Sequence, residues 1–237
     1  MKRCCIFTLA SKRFMPMYQQ LHNSIMKYYP DIPHILIGQD QLDAHHMIEP
    51  GPTSLNWYST FGKELAKEYE LVIQMDADSI MTAPMPHVFE RPYEVASVRN
   101  NNPVGFKTVY GNIGFFKYLN IGFIAIRGER FWNEWHERSL HEATQLPYRE
   151  QDLFNIMFYS GRYMNSVLDD HESESYYGCS SYGEYKSMYM NDGYICLHNK
   201  VVRVMHTAGN PDLKMWFGDC PTDVRDYITS LVTPEIK

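Results

Sequence analysis

The sequence has 237 residues, of which 44% are hydrophobic and 21% charged, and its formal net charge is −6. A chain of this length buries about 70–75% of the surface that its unfolded form exposes, so it needs no disulfides or structural metals to fold. The acidic balance excludes an extended nucleic-acid surface, which needs a basic stripe, and no run of about 18 apolar residues is present that would form a transmembrane segment.

The cysteines have no spacing typical of a disulfide framework or a zinc site. They stand at positions 4, 5, 179, 196 and 220. An odd number of cysteines without a framework is typical of a reducing compartment. We therefore expect a cytoplasmic protein, and the sequence leaves its oligomeric state open.

Strand and helix patterns alternate along the first third of the chain. Short apolar runs predict strands, and apolar residues at helical spacing, such as Leu21 and Ile25, predict helices. In chain order the predicted elements are a strand over 4–9, a helix over 15–28, a strand over 34–37, a helix over 54–68 and a strand over 71–75. This alternation indicates a Rossmann-like α/β fold with a mostly parallel central sheet flanked by helices.

The second half of the chain has a more mixed pattern. Strands are predicted over 94–98, 121–126, 195–197 and 201–205, and helices over 129–143 and 150–160. A Gly- and Asn-rich connection joins the first two of these strands. Residues 169–193 form a Tyr- and Ser-rich segment of weak periodicity, and segments of that length are usually functional or disordered. No linker divides the sequence, so we predict a single domain over 1–237.

Two aspartates directly follow the strand predicted over 71–75. In a mostly parallel sheet, ligands bind beyond the carboxyl ends of the strands, which here points to Ala10–Phe14 and Asp76–Ser79. At the strand end, the Asp76 and Asp78 carboxylates can both reach one hard divalent cation, and oxygen ligands suit Mn²⁺ or Mg²⁺. The alternative interpretation is a solvated turn or a helix cap.

A histidine at a later strand end offers a third metal ligand. A neutral His206 imidazole can complete a metal site begun by carboxylates. Further along, Gly209 would allow the backbone to approach a phosphate closely, and Lys214 would offer that phosphate a positive charge. The alternative interpretation is a core histidine followed by a turn.

Four motifs in this order resemble those of glycosyltransferase family 8. They are QMDADSIMTAP, LNIGFIAIR, EQDLFN and HTAGNPDLKMW, and the resemblance extends from Cys4 to Trp216. It implies a GT-A fold and metal-dependent transfer of a hexosyl group from a nucleotide-sugar donor, with a UDP-sugar as the expected donor and retention at the anomeric carbon. It also implies a nucleotide-binding half over 1–100, a half for the donor sugar and acceptor over 101–237, and a smaller subregion of mixed structure on the acceptor side.

The resemblance assigns roles to residues around the donor diphosphate. Asp76, Asp78 and His206 match the metal ligands of the family, and Ala77 lies between the two aspartates. Gly209 and Lys214 match the residues that contact the diphosphate. The final motif has Lys214-Met215-Trp216 where many members have Lys-Pro-Trp, which indicates a divergent branch.

A second set of matching residues faces the donor sugar in the family. Asn120 matches a sugar-facing asparagine, although Ile121 replaces the usual Ser or Ala that follows it. Glu150, Gln151 and Asp152 match an Asp-Gln-Asp motif whose first two residues face the sugar near its reacting carbon. Glu150 is one methylene longer than the aspartate of the family, which puts its sugar contact in doubt.

Two further segments resemble parts of the family's donor site. The turn after the first strand, with Ala10, Ser11 and Phe14, resembles the nucleobase-binding turn. Tyr58 and Lys63 lie on the helix before the Asp-x-Asp strand, where the family has a basic residue beside the diphosphate or sugar. Lys63 is the basic candidate, and an ordinary solvated helix residue is the alternative.

Two other functions remain open at this stage. A sugar-1-phosphate nucleotidyltransferase shares the sheet topology, but it would be expected to have a Gly-rich basic loop after its first strand, and this loop has no glycine. A non-catalytic module that binds nucleotide sugars is the third hypothesis. The acceptor classes left open by the sequence are a glycan, a lipid-linked sugar and a protein.

Overall fold

The computed structural model describes residues 4–44, 56–99, 104–108, 111–115, 118–168, 175–176, 184–206 and 220–233. Its helices are α1 (Met15–Tyr28), α2 (Gln39–Ala44), α3 (Trp57–Ala66), α4 (Pro86–Glu90), α5 (Arg130–Glu142), α6 (Glu150–Phe158) and α7 (Thr222–Val232), with short 3₁₀ helices at Lys12–Phe14, Ala143–Gln145 and Glu184–Ser187. Its strands are β1 (Cys4–Ala10), β2 (His34–Gly38), β3 (Leu71–Met75), β4 (Ser79–Met81), β5 (Val95–Arg99), β6 (Val104–Thr108), β7 (Gly111–Phe115), β8 (Leu119–Arg127), β9 (Asn165–Val167), β10 (Ser175–Tyr176), β11 (Tyr189–Asn191), β12 (Tyr194–Leu197), β13 (Lys200–Val202) and β14 (Val204–His206).

Six of these strands form the central sheet in the order β2-β1-β3-β8-β5-β9. β1 pairs in parallel with β2 and β3, and β5 pairs in parallel with β9. Only β8 runs in the opposite direction within this sheet, antiparallel to β3 and β5. The mostly parallel α/β sheet predicted from the sequence is therefore confirmed. Because β1 and β3 are parallel neighbours, the turns that follow them lie at the same edge of the sheet.

Helices cover both faces of this sheet because its central strands are apolar on both faces. Phe7 of β1 and Val72 of β3 belong to a buried cluster that also contains side chains of α3, α5 and α6. The residues beside them in sequence, Ile6 and Ile73, belong to a second cluster that contains side chains of α1. Near-continuous apolar strands of this kind are typical of a sheet that is covered on both sides.

A smaller mixed sheet has the order β10-β13-β12-β11. Its apolar side chains pack with those of α7 in a third buried cluster, which includes Ile195, Val202 and Ile228. Parts of the Tyr-rich segment predicted as functional or disordered contribute β10 and β11 to this sheet. Residues 184–187 of the segment form a 3₁₀ helix, and residues 169–174 and 177–183 lie outside the described residues.

The single strand predicted over 201–205 is wrong, because the chain changes sheets at Arg203. β13 belongs to the small sheet, whereas β14 pairs antiparallel with β4. The Arg203 carbonyl accepts a hydrogen bond from the Thr82 amide at 2.8 Å. The sequence does not signal such a change, because apolar residues stand on both sides of Arg203. Because the chain changes sheets at Arg203, His206 stands opposite Ser79, beside the end of β3.

The other predicted helices and strands are confirmed to within three residues at each end. The Gly- and Asn-rich connection contains the antiparallel hairpin β6-β7, which the sequence analysis did not predict. It also missed α2, α4, α7, β4 and β9, all of them short except α7. Among the described helices, none is both long and apolar enough to cross a bilayer.

Gly62 allows α3 to pack closely against α5. A Cβ atom at Gly62 would lie 2.1 Å from Cζ3 of Trp132, a fully buried ring that stacks on Trp135 with 5.5 Å between ring centroids. A Cβ atom at that distance overlaps the ring, so one of the two helices must shift.

We expect Gly62→Ala to lower the free energy of unfolding by about 1–2 kcal/mol. Overpacking a core costs about 1–3 kcal/mol, and the better helix propensity of alanine recovers only about 1 kcal/mol. Urea unfolding followed by circular dichroism measures the change. Glu64→Ala, at an exposed position of the same helix, should change the free energy by no more than about 0.5 kcal/mol. A Gly62→Ala protein as stable as the parent would contradict the packing described.

Candidate functional site

Three metal-ligating side chains meet at the carboxyl edge of the central sheet. Asp76 and Asp78 follow β3, and His206 is the last residue of β14. His206 Nε2 lies 3.0 Å from Asp78 Oδ1 and 3.6 Å from Asp76 Oδ2. One ligand atom of each residue lies within 4.8 Å of those of the other two. Side chains 128 positions apart in the sequence thus form one cluster.

This cluster has the composition and spacing of a divalent-cation site. Ligand atoms at about 2.1 Å from one ion stand about 3–4.2 Å apart, and both separations from His206 fall in that range. Burial raises the pKa of the Asp76 carboxyl, His206 opposes this rise, and the charge of Asp78 adds to it. Two neighbouring carboxylates that are largely removed from water favour a cation between them, because the cation offsets both desolvation and their mutual repulsion.

Neutral donors orient the Asp76 carboxylate. The Tyr58 hydroxyl donates to Asp76 Oδ1 at 2.9 Å, and Gln74 Nε2 donates to the same oxygen at 2.8 Å. Burial and the Asp76 charge raise the pKa of Tyr58 well above its ordinary value, so its hydroxyl stays protonated and remains a donor. With Oδ1 occupied by two donors, Oδ2 is the oxygen directed at His206.

An irregularity in β8 brings the backbone against this carboxylate. Ser97 of β5 pairs with Ile124, but the next residue pairs with Asn120, so three residues of β8 bulge out of the ladder. Within the bulge, the Gly122 carbonyl accepts a hydrogen bond from the Asp76 amide at 2.9 Å. The Gly122 amide donates to Asn120 Oδ1 at 2.6 Å. The bulge therefore places Asn120 beside the cluster of Asp76, Asp78 and His206, and bulges are common next to active sites.

The start of α6 contacts the same part of β8. Gln151 Oε1 accepts a hydrogen bond from the Ile121 amide at 3.3 Å, and its Nε2 lies 3.3 Å from the Tyr118 hydroxyl. Asp152 is fully buried, and it accepts hydrogen bonds from the Tyr118 hydroxyl and the Tyr148 amide, each at 2.6 Å. Burial raises the pKa of Asp152, which the two donors oppose. Asp152 thus fixes the surroundings of Gln151, and its carboxylate is enclosed by the protein.

Glu150 contacts α3 through its carboxylate. Its Oε2 accepts a hydrogen bond from the Tyr58 amide at 3.2 Å, and its Oε1 accepts one from the Ser59 amide at 2.7 Å. The residue is only 1% exposed. Its carbonyl oxygen accepts a hydrogen bond from Trp135 Nε1 at 3.2 Å. The residue aligned with a sugar-facing aspartate is thus enclosed between α3, α5 and α6.

The turn after β1 lies next to the Asp-x-Asp turn. Ala10 and Ala77 share a small buried cluster with Tyr18, and Phe14 packs against it. Ser11 joins β1 to the 3₁₀ helix, and its carbonyl accepts a hydrogen bond from the Phe14 amide at 2.8 Å. The two turns that the sequence analysis singled out therefore adjoin one another.

The remaining candidates divide into two groups. Lys63 lies five residues after Tyr58 on α3 and is close enough to His136 of α5 to lower the pKa of that histidine, after the larger effect of burial. It therefore stands near α5, toward the other end of the helix from the contact with Asp76. Gly209 and Lys214 lie outside the described residues.

Sequence reasoning missed three residues that surround the site. Gln74 and Tyr118 act only through side-chain contacts that depend on the folded chain, so no sequence signal distinguishes them from core residues. Gly122 had a usable signal, because a glycine inside an otherwise apolar strand often marks a bulge or a close approach of the backbone.

The structure is similar to those of several glycosyltransferases. It matches the galactosyltransferase LgtC, solved in complex with donor and acceptor sugar analogues, at a TM-score of 0.60 and 15% identity over 97% of each chain. It matches a glycosyltransferase involved in glycosylation of the major capsid of PBCV-1 at a TM-score of 0.52 and 13% identity, over 96% of this chain and 98% of the other.

A third match is the bifunctional glycosyltransferase WbbM, at a TM-score of 0.58 and 12% identity, over 98% of this chain and 50% of the other. No protein-family model matches the sequence, and no curated protein does. At these identities the similarity establishes the fold. The chain therefore has the GT-A fold that the sequence predicted, with a carboxylate–histidine cluster at the carboxyl edge of its central sheet.

Proposed function

We propose that this protein is a glycosyltransferase that moves a hexosyl group from a nucleoside-diphosphate sugar, a UDP-sugar in our proposal, to an acceptor hydroxyl. The observation that carries the proposal is the convergence of Asp76, Asp78 and His206 at the edge of a sheet with this fold. The group held there would be Mn²⁺ or Mg²⁺, which neutralises negative charge on a departing diphosphate when bound.

The residues around the cluster would divide the donor between them. The apolar turn with Ala10, Ser11, Phe14 and Ala77 would take the nucleobase. Gly209 and Lys214 would contact the diphosphate, as their match to the family motif implies. Tyr58 would act on the donor only through Asp76, because its hydroxyl is already donated to that carboxylate.

Two amide side chains are the proposed contacts of the donor sugar. Asn120 lies on the β8 bulge beside Asp76, and Gln151 lies behind that bulge on α6. The amide oxygen and the amide nitrogen of Gln151 each make one described hydrogen bond. Oε1 therefore keeps a lone pair for a sugar hydroxyl or the reacting carbon, and Nε2 keeps a hydrogen for a sugar hydroxyl. A lone pair there would stabilise positive charge that develops on the sugar ring.

The buried carboxylates are not proposed as nucleophiles. Glu150 accepts hydrogen bonds from two backbone amides, Asp152 accepts one from a backbone amide and one from a tyrosine hydroxyl, and both residues are almost completely enclosed. A carboxylate in such surroundings cannot approach the anomeric carbon without losing its partners. Retention at the anomeric carbon, which the family resemblance implies, would then depend on other groups. The halves over 1–100 and 101–237 and the cytoplasmic location stay predictions.

We expect a UDP-sugar together with Mn²⁺ to raise the melting temperature by about 5–10 °C at 100 times its dissociation constant, by mass action. A thermal-shift screen of UDP-, GDP- and CMP-sugars, each with and without Mn²⁺, measures this. Stabilisation by a nucleoside triphosphate with release of pyrophosphate would favour a nucleotidyltransferase instead. Binding of the donor without hydrolysis or transfer would favour a non-catalytic module.

We expect Asp78→Asn to reduce Mn²⁺-dependent hydrolysis or transfer of the donor by at least about 100-fold. Groups that merely orient metal ligands affect metal affinity by about 10–100-fold, so loss of a ligand's charge should exceed this. Release of the nucleoside diphosphate measures the rate. Asp192→Asn, at an exposed turn of the small sheet, is the matched control and should keep full activity. Full activity of Asp78→Asn would refute the assignment of the site.

We expect Gly122→Ala to weaken Mn²⁺ binding at least about 10-fold in a protein that still folds. The added Cβ would lie 2.7 Å from His206 Cε1, 2.9 Å from Asp76 Oδ2 and 2.7 Å from Asn120 Oδ1, so these side chains must move apart. Titration calorimetry with Mn²⁺ measures the change. Gly114→Ala is the matched control, because its Cβ would have no atom within 4 Å among the described residues. Equal affinity in both variants would contradict the close approach of the β8 bulge.

A further inference from the structure

We infer that Glu150 is a positioning residue of the cation site, which holds Tyr58 so that its hydroxyl fixes the Asp76 carboxylate. This inference rests on the proposed function, because it concerns how that same site binds its cation. It departs from the family resemblance, which aligns Glu150 with a residue that faces the donor sugar. The chain of contacts runs from α6 to α3, and from α3 to the turn after β3.

The first step is the capping of α3 by a residue distant in sequence. The first amides of a helix have no partner within the helix. Asn56, the residue at the N-cap position, makes no capping hydrogen bond with its side chain. Glu150, 91 residues after Ser59 in the sequence, caps the helix instead. One of its carboxylate oxygens accepts a hydrogen bond from the Tyr58 amide and the other accepts one from the Ser59 amide. A negative charge at a helix N-terminus is also favoured by the helix dipole.

The second step is the contact of Tyr58 with the cation cluster. The same residue whose amide is bound by Glu150 donates its hydroxyl to Asp76 Oδ1 at 2.9 Å. Together with Gln74, it occupies that oxygen and leaves Oδ2 directed at His206. A shift of the first turn of α3 would move the hydroxyl, and the Asp76 carboxylate would then keep only one of the two donors that orient it. The position of the capping carboxylate is therefore transmitted to a metal ligand.

The length of the Glu150 side chain is what this arrangement requires. An aspartate at this position would end about 1.5 Å earlier, the length of one carbon–carbon bond. Hydrogen bonds of 3.2 and 2.7 Å to two successive amides would then lengthen beyond the usual range unless α3 moved toward α6. The extra methylene noted in the sequence therefore lets this carboxylate reach α3.

The experiment is a double-mutant cycle on Mn²⁺ affinity in the absence of any donor. Electron paramagnetic resonance of free Mn²⁺ gives the dissociation constant for the parent, Glu150→Gln, Tyr58→Phe and the double variant. We expect each single variant to bind Mn²⁺ about 10-fold more weakly, the scale typical of groups that orient metal ligands. The double variant should be no weaker than Tyr58→Phe alone, because Glu150 acts through the hydroxyl that this substitution removes.

Thr60→Val is the matched control for a merely structural effect on α3. It removes the 3.2 Å contact between Thr60 Oγ1 and His136 Nδ1, which joins α3 to α5 about 200° around the helix from Tyr58. It should lower the melting temperature and leave the Mn²⁺ dissociation constant within about 2-fold of the parent. The same lowering of affinity in Thr60→Val as in Glu150→Gln would show that any loosening of α3 suffices, and would overturn the inference.

Three further outcomes are decisive. An unchanged dissociation constant in Glu150→Gln, or a double variant about 100-fold weaker than the parent, would also overturn the inference while leaving the cation site intact. If the parent itself binds no Mn²⁺, the proposed function fails instead. If Glu150→Gln does not fold, judged by circular dichroism, Glu150→Asp takes its place in the cycle with the same expectations.

Discussion

The placement of two carboxylates side by side, largely out of water, is the constraint on which the site depends. Asp76 and Asp78 repel each other, and the groups that donate to Asp76 are neutral: a phenol and a carboxamide. Neutral donors orient a carboxylate without cancelling its charge. Within the described residues, His206 is the nearest basic group to both. The arrangement thus preserves the negative field that a divalent cation would neutralise. Its hydrogen bonds orient the Asp76 carboxylate.

Three separate devices converge on this one point. A two-stranded ladder delivers the imidazole, a bulge in β8 presses the backbone against Asp76, and α3 supplies the phenol. Each device comes from a different part of the chain, and each is supported by its own packing. The ladder joins the small sheet to the end of β3. Helix α3 packs closely against α5 because Gly62 has no side chain. Rigid support of this kind keeps the three side chains of the cluster in place before a cation binds.

Much of the fold followed from the sequence because the strands and helices of the first half are strongly patterned. The apolar run over Leu71–Met75 is buried on both faces of the sheet, so its burial coincides with its sequence pattern. The cluster of Asp76, Asp78 and His206 was predictable because, in such sheets, ligands bind beyond the carboxyl ends of the strands. Short elements such as β4 escaped prediction, since three residues do not establish a period. The change of sheet at Arg203 escaped because apolar side chains continue across it.

The roles of individual site residues were harder to predict than the position of the site. Glu150 aligns with a sugar-facing aspartate, yet the partners of its carboxylate are amides of a helix 91 residues earlier. Hydrogen bonds between distant elements depend on a few tenths of an ångström and on side-chain length, and neither is visible in a pattern of residue types. Lys63 shows the converse, because its position on α3 had to be inferred through an alignment gap and the structure puts it near α5.

The ladder between β4 and β14 also has a consequence for synthesis. His206 comes 128 residues after Asp78, and a ribosome adds roughly 5–20 residues per second, so the aspartates wait about 6–26 s before the histidine is made. Throughout that interval the nascent chain carries the acidic half of the cluster without its imidazole. The cation affinity proposed for the complete cluster would therefore be acquired late, when the last strands are in place, and a cation bound earlier would be held by the carboxylates alone.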